Sequence, residues 1–112
     1  MKISSRMVGD VQILALFGKL TIGVGESQLR QAVHDCLEMG NKKILLDLAA
    51  VTTIDSSGMG ELVGAYTGSA NRGARVKLDK LPPKIRDALT ITQLISVFEI
   101  YDDEAEALES FA

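Results

Sequence analysis

Apolar positions recur along this chain in two rhythms, runs that are almost continuously hydrophobic and segments in which hydrophobic residues return every three or four positions. The first rhythm opens the chain: Ser4 to Val8 and Val11 to Phe17 read as two strands around a Gly9-Asp10 turn, with Gly9 supplying the positive φ of a type II′ hairpin. The second of these strands is apolar at nearly every position, as expected for a strand covered on both faces. A glycine-containing loop, Leu20 to Gly25, leads into the second rhythm. From Glu26 to Met39, Leu29, Val33, Cys36 and Leu37 share one helical face, while Arg30, Gln31, Asp35 and Glu38 share the other. Gly40-Asn41 ends that helix, and Ile44 to Leu48 is a second buried-type strand.

The alternation continues to the end. An Asp55-Ser56-Ser57-Gly58 turn precedes a helix whose stripe is Met59, Leu62, Val63, Tyr66 and Ala70, closing at Asn71-Arg72-Gly73. Val76 to Leu78 forms a short strand. Leu81-Pro82-Pro83 starts a third helix with inner positions Ile85, Ala88 and Leu89, Val97 to Tyr101 supplies the last strand, and Asp103 with Glu106 makes a capping-box-like start to a helix reaching Phe111. The order ββαβαβαβα predicts an α/β fold, a mixed and mostly parallel sheet packed with about four helices, the opening hairpin giving an antiparallel edge. No repeat, linker or low-complexity segment divides residues 1–112, so the whole stretch is expected to form one domain.

Composition narrows the function classes. The net charge of −3 lacks the clustered Lys and Arg of a nucleic-acid surface. No apolar stretch reaches membrane-spanning length and no leader pattern follows Met1, so a cytoplasmic protein without a membrane partner is expected. Beyond Arg86 there is no Lys or Arg, and the acidic residues from Glu99 to Glu109 read as a solvated face. Cys36 is the lone cysteine and reads as a small reduced core residue.

Catalytic chemistry is not expected. A serine nucleophile needs a positioned base, and the single histidine, His34, lies mid-helix. His34 and Cys36 point in different directions, so no metal set forms, and Gly23-Val24-Gly25-Glu26 has neither a dinucleotide fingerprint nor a P-loop lysine. Neither catalytic residues, metal nor cofactor is therefore assigned. Gly60, Gly64 and Gly68 recur every four residues on the second helix. Each costs about 0.8–1 kcal/mol relative to alanine, which implies close approach of another backbone, either this domain's own sheet or a partner.

What remains is the turn itself. Ser56 and Ser57 stand where an apolar run stops and a helix begins, so the free N–H groups and positive dipole end of that helix favour an anion, including a phosphoryl group on Ser56. Read alone, Asp-Ser-Ser-Gly is also an ordinary cap and turn. Ser57 is the expected cap and Ser56 the expected acceptor, although spacing alone does not separate them.

Asp55, Ser56, Ser57, Gly58, Met59, Gly60 and Leu62 resemble the signature of the STAS domain as found in bacterial anti-sigma factor antagonists, D-S-[ST]-G-[aliphatic]-G-x-[aliphatic]. The resemblance covers nearly the whole chain, because the order of elements also fits. It implies a switch: the unphosphorylated protein binds an anti-sigma factor that is itself a serine kinase, thereby releasing a sigma factor. The kinase phosphorylates Ser56, and a PP2C-type phosphatase restores the binding form. By the same resemblance, partner contacts fall on Asp55, Ser57, Gly58, Met59, Gly60, Leu62 and Val63, with Thr21, Ile22 and Gly23 beside them. A monomer or weak dimer is expected. The alternative implied is a constitutive STAS subunit of a larger signalling or lipid-transport complex.

Overall fold

The computed structural model describes residues 1–112. Five strands lie in sequence order across one sheet: β1 (Lys2–Val8), β2 (Val11–Leu20), β3 (Lys43–Ile54), β4 (Arg75–Asp79) and β5 (Ile100–Tyr101). β1 pairs antiparallel with β2, and every other neighbour is parallel. Gly9, at φ 60°, makes the hairpin that the sequence predicts. Helices α1 (Val24–Glu38), α2 (Ser56–Asn71), α3 (Pro83–Ile91) and α4 (Glu104–Ser110) fill the connections.

The two faces of the sheet are built differently. On one, Leu14, Leu16, Ile44, Leu46, Leu48, Val76 and Leu78 meet the apolar stripes of α1, α2 and α3 in a cluster of 20 buried residues. Cys36 belongs to it, and burial pushes its thiol up to about 11, as an inert core residue requires. On the other face α4 covers a cluster of five, Val11, Ile13, Leu45, Ala107 and Phe111. Two cations of β4 seat this helix end: the buried Lys77 Nζ donates to Ser110 O at 2.9 Å and lies 4.6 Å from the centre of the Phe111 ring, and Arg75 donates to Phe111 O at 2.8 Å. The acidic C-terminal segment is thus partly answered by cations, Glu104 by Arg6 and Glu99 by Lys77. No helix is long and apolar enough to cross a membrane.

Four details depart from the sequence expectation. β2 and β3 run on to Leu20 and Ile54 instead of stopping at Phe17 and Leu48, because each extends the ladder of the other through two register shifts, Phe17 opposite Ala50 and Leu20 opposite Ile54. α1 starts at Val24, two residues early, its first turn closed by hydrogen bonds from Glu26 N to Thr21 O and from Ser27 N to Gly23 O. The last strand is only Ile100–Tyr101. Ile95–Val97 is a 3-10 turn that follows Gln93 at φ 63°, and Phe98 then turns its ring into the core against Tyr66. Ala70 is exposed, since the buried line of α2 runs through Gly58, Leu62, Ala65 and Ser69, with Met59, Val63 and Tyr66 on its half-buried flank.

Candidate functional site

Extending β2 and β3 together has a consequence for function. Leu20 and Ile54 are register partners at the carboxyl ends of two parallel strands, so the loops that leave them emerge side by side. This edge is where open α/β sheets present their sites. The first loop carries Thr21, Ile22 and Gly23, and the second is Asp55, which passes directly into α2. Residues more than thirty positions apart become one surface.

Asp55 organises it. Its backbone is extended and its side chain caps α2, Oδ1 accepting from Gly58 N at 2.8 Å, while Oδ2 accepts from Ile22 N at 2.9 Å. These N–H groups, Ile22 first and Gly58 second, hold the carboxyl below the usual carboxylate range and keep it ionised at neutral pH. The cap is therefore Asp55 and not Ser57, because a carboxylate at the extended position reaches the N–H three residues on, whereas Ser57 already lies within the helix. The expectation of free N–H groups is narrowed by the same contact, since the Gly58 N–H has an anion on it.

Two glycines permit this closeness. A Cβ on Gly58 would lie 2.0 Å from Leu20 O, and one on Gly25 would lie 2.4 Å from Lys19 O. The starts of both helices thus press on the end of β2 where only hydrogen fits. Gly60, Gly64 and Gly68 are the opposite case: a Cβ at any of them meets nothing within 4 Å. Packing against this domain's own sheet does not account for that ridge, which faces outward.

Around the turn, Ser56 and Gly60 are exposed, Ser57, Met59 and Val63 are half-buried, and Leu62 is wholly buried. In the adjoining loop Thr21 is half-buried, Gly23 stands at φ 91°, and Ile22 is 72% exposed. Gly58 and Leu62 therefore shape the surface from beneath, and the outward groups are Ser56, Gly60, Ile22 and Gly23. Sequence reasoning weighed Val24 and Gly25 only as part of a phosphate loop and gave neither a place at this surface, although Val24 is 68% exposed beside it. It also missed the ion pair that ties α1 to α2, where Arg30 reaches Glu61 at 2.9 Å as well as its own-helix partner Glu26 at 2.8 Å. Only the Glu26–Arg30 spacing was visible in the chain. His34 is exposed on α1, near Glu38. No three His, Cys, Asp or Glu side chains are placed to hold a metal ion.

The family model for the STAS domain matches residues 2–107. The chain belongs to the STAS domain family. A relative in Thermotoga neapolitana, named "Putative anti-sigma factor antagonist TM1081 homolog", is 32% identical over 104 residues, covering 93% of this chain and 92% of its own. The crystal structure of a Thermotoga maritima protein described in the same terms superposes with a TM-score of 0.87 at 29% identity, covering 96% of this STAS chain and 92% of that one. The Bacillus cell fate determinant SpoIIAA, solved in its phosphorylated form, shares the fold at a TM-score of 0.75 and 21% identity, with 99% of this chain and 100% of that one covered.

Proposed function

We propose that this STAS domain is a phosphorylation-switched binding protein of the anti-sigma factor antagonist kind. In its unmodified form it binds an anti-sigma factor that is also a serine kinase, and so releases a sigma factor. Phosphorylation of Ser56 ends that binding, and a PP2C-type phosphatase restores it. The observation that carries the reading is the placement of Ser56, an exposed hydroxyl on the first turn of α2, beside an ionised Asp55 and an outward apolar loop. The family membership and the antagonist names of its relatives support the same role.

The physics of release needs no refolding. A phosphoserine adds about −1.5 to −2 charge at neutral pH, here next to a carboxylate that is already charged. Buried in an interface, that charge meets desolvation and like-charge penalties of several kcal/mol, roughly, unless a partner Arg or Lys answers it. The outward groups form the contact surface, with Asp55, Ser57, Met59 and Val63 at its margin and Gly58 and Leu62 as its support.

The test is labelling. Incubation with ATP and each candidate anti-sigma factor kinase of the host should add one phosphoryl group, mapped by mass spectrometry to Ser56 and lost in Ser56→Ala. Labelling of Ser57 instead would overturn the assignment. Binding of the kinase with no labelling at all would favour a constitutive docking subunit.

A further inference from the structure

A helix cap needs one acceptor, and Asp55 uses two. Gly58 N–H completes the cap, but the second oxygen reaches Ile22 N–H, 33 residues away and on the exposed loop. That loop has its own closure, from Glu26 N to Thr21 O and from Ser27 N to Gly23 O, both at 3.0 Å. Asp55 is therefore not what makes α1 begin. Its second arm decides where the loop sits relative to α2.

We propose that Asp55 is a positioning residue whose carboxylate latches the loop between β2 and α1 to the first turn of α2, and that a phosphoryl group on Ser56 opens the latch. This rests on the reading of Ser56 as the modified residue. A phosphoserine one position along carries more charge than the carboxylate and three strong acceptor oxygens, so it competes for the N–H groups of the first turn and repels the anion that holds them. A carboxylate is one rigid plane, and losing its Gly58 arm frees the orientation of the other. The helix starts cannot follow, because Gly58 and Gly25 are pressed on the carbonyls of Leu20 and Lys19. What moves is the crest of the loop at Ile22, whose N–H loses its acceptor and whose side chain is exposed, while Thr21 O and Gly23 O stay bonded to the start of α1. Phosphorylation then removes part of the docking surface as well as charging it.

The experiment uses the full chain with phosphoserine installed at position 56 during synthesis, so that it does not depend on any kinase. Amide hydrogen exchange should accelerate about tenfold or more at Ile22 while Glu26, bonded within the loop, keeps its protection. The titration midpoint of the Asp55 carboxyl carbon should rise as well, but the neighbouring phosphate raises it by charge alone, so the Ile22 exchange is the deciding readout. In the unmodified chain Asp55→Asn, which keeps one acceptor oxygen, should reproduce the faster Ile22 exchange. Unchanged Ile22 protection in the phosphoserine chain would overturn the latch, whatever the Asp55 midpoint does. Failure of every kinase to label Ser56 would instead strike the switch reading, so the two are separable.

Discussion

The first turn of α2 and the three turns that follow it spend glycine in opposite ways. At Gly58 the backbone of the helix lies against the end of β2, and the space a methyl group would need is taken by Leu20 O at 2.0 Å, with Ile54 Cγ1 at 3.1 Å. At Gly60, Gly64 and Gly68 the same missing methyl leaves open space. One glycine is a requirement of the fold, and it sits where the candidate site is built. The others lower helix propensity without any return inside the domain. The difference teaches that a repeat visible in sequence marks a helix face, while a single unremarkable glycine fixes the geometry of the site.

Substitutions can break or sharpen this contrast. The scale is set by Leu46→Ala, wholly buried in β3, which should cost about 2–5 kcal/mol in chemical denaturation. A loss no larger than that of a surface control would place β3 outside the core. Gly58→Ala comes next: forcing a Cβ against a backbone carbonyl should cost about 1–3 kcal/mol and displace the amide resonances of Leu20 to Ile22. Full tolerance there would remove the distinction between the two glycine sets. Gly64→Ala should have the opposite sign, raising stability by about 0.8–1 kcal/mol, because the new methyl enters open space in a helix interior. Destabilisation at Gly64 would mean that the ridge is packed in solution.

A smaller effect concerns the other end of the same sheet edge. Asp79, at the close of β4, is 1% exposed and neither carboxylate oxygen has a hydrogen-bond partner. Burial pushes its carboxyl from 3.8 up to about 6, reinforced by the charges of Asp47, Glu104 and Asp103 against the opposing Lys80. The folded state thus holds this proton more tightly than the unfolded chain. Its contribution to stability is fully present below pH 4 and is lost as pH rises from about 4 to about 6. Asp79→Asn should flatten that part of the melting-temperature profile and melt higher than the parent at pH 7. An unchanged slope across this window would show that Asp79 is solvated. The contrast with Asp55 is direct, since two N–H donors lower one carboxyl of this edge, while burial with no donor to offset it raises the other.

Much of this was legible in the chain. The hairpin at Gly9, the four helices and the mostly parallel sheet follow from periodicity, and the Asp-Ser-Ser-Gly turn was recognisable as the place to look. What periodicity could not supply is pairing. Ala49 to Thr53 lacks the large aliphatic residues of a core strand and becomes one only because Phe17 to Leu20 lie beside it. That same pairing brings Ile22 to Asp55, so the loop contact on Asp55 was hidden with it. Lys77, between Val76 and Leu78, is buried under Phe111 because α4 returns over that face, a placement the short strand alone does not reveal. Ser57 was expected to cap, a role that Asp55 fills once its side chain is seen to fold back on Gly58.

The central claim is that the exposed hydroxyl of Ser56, held beside Asp55, controls partner binding. It is tested most directly by calorimetry of the anti-sigma factor kinase identified through labelling, titrated with the unmodified chain and with the chain carrying phosphoserine at position 56. The account predicts a loss of affinity of about a hundredfold or more, as a penalty of about 3 kcal/mol requires, with the fold of the phosphorylated chain retained by circular dichroism. Equal affinities for the two forms would contradict it.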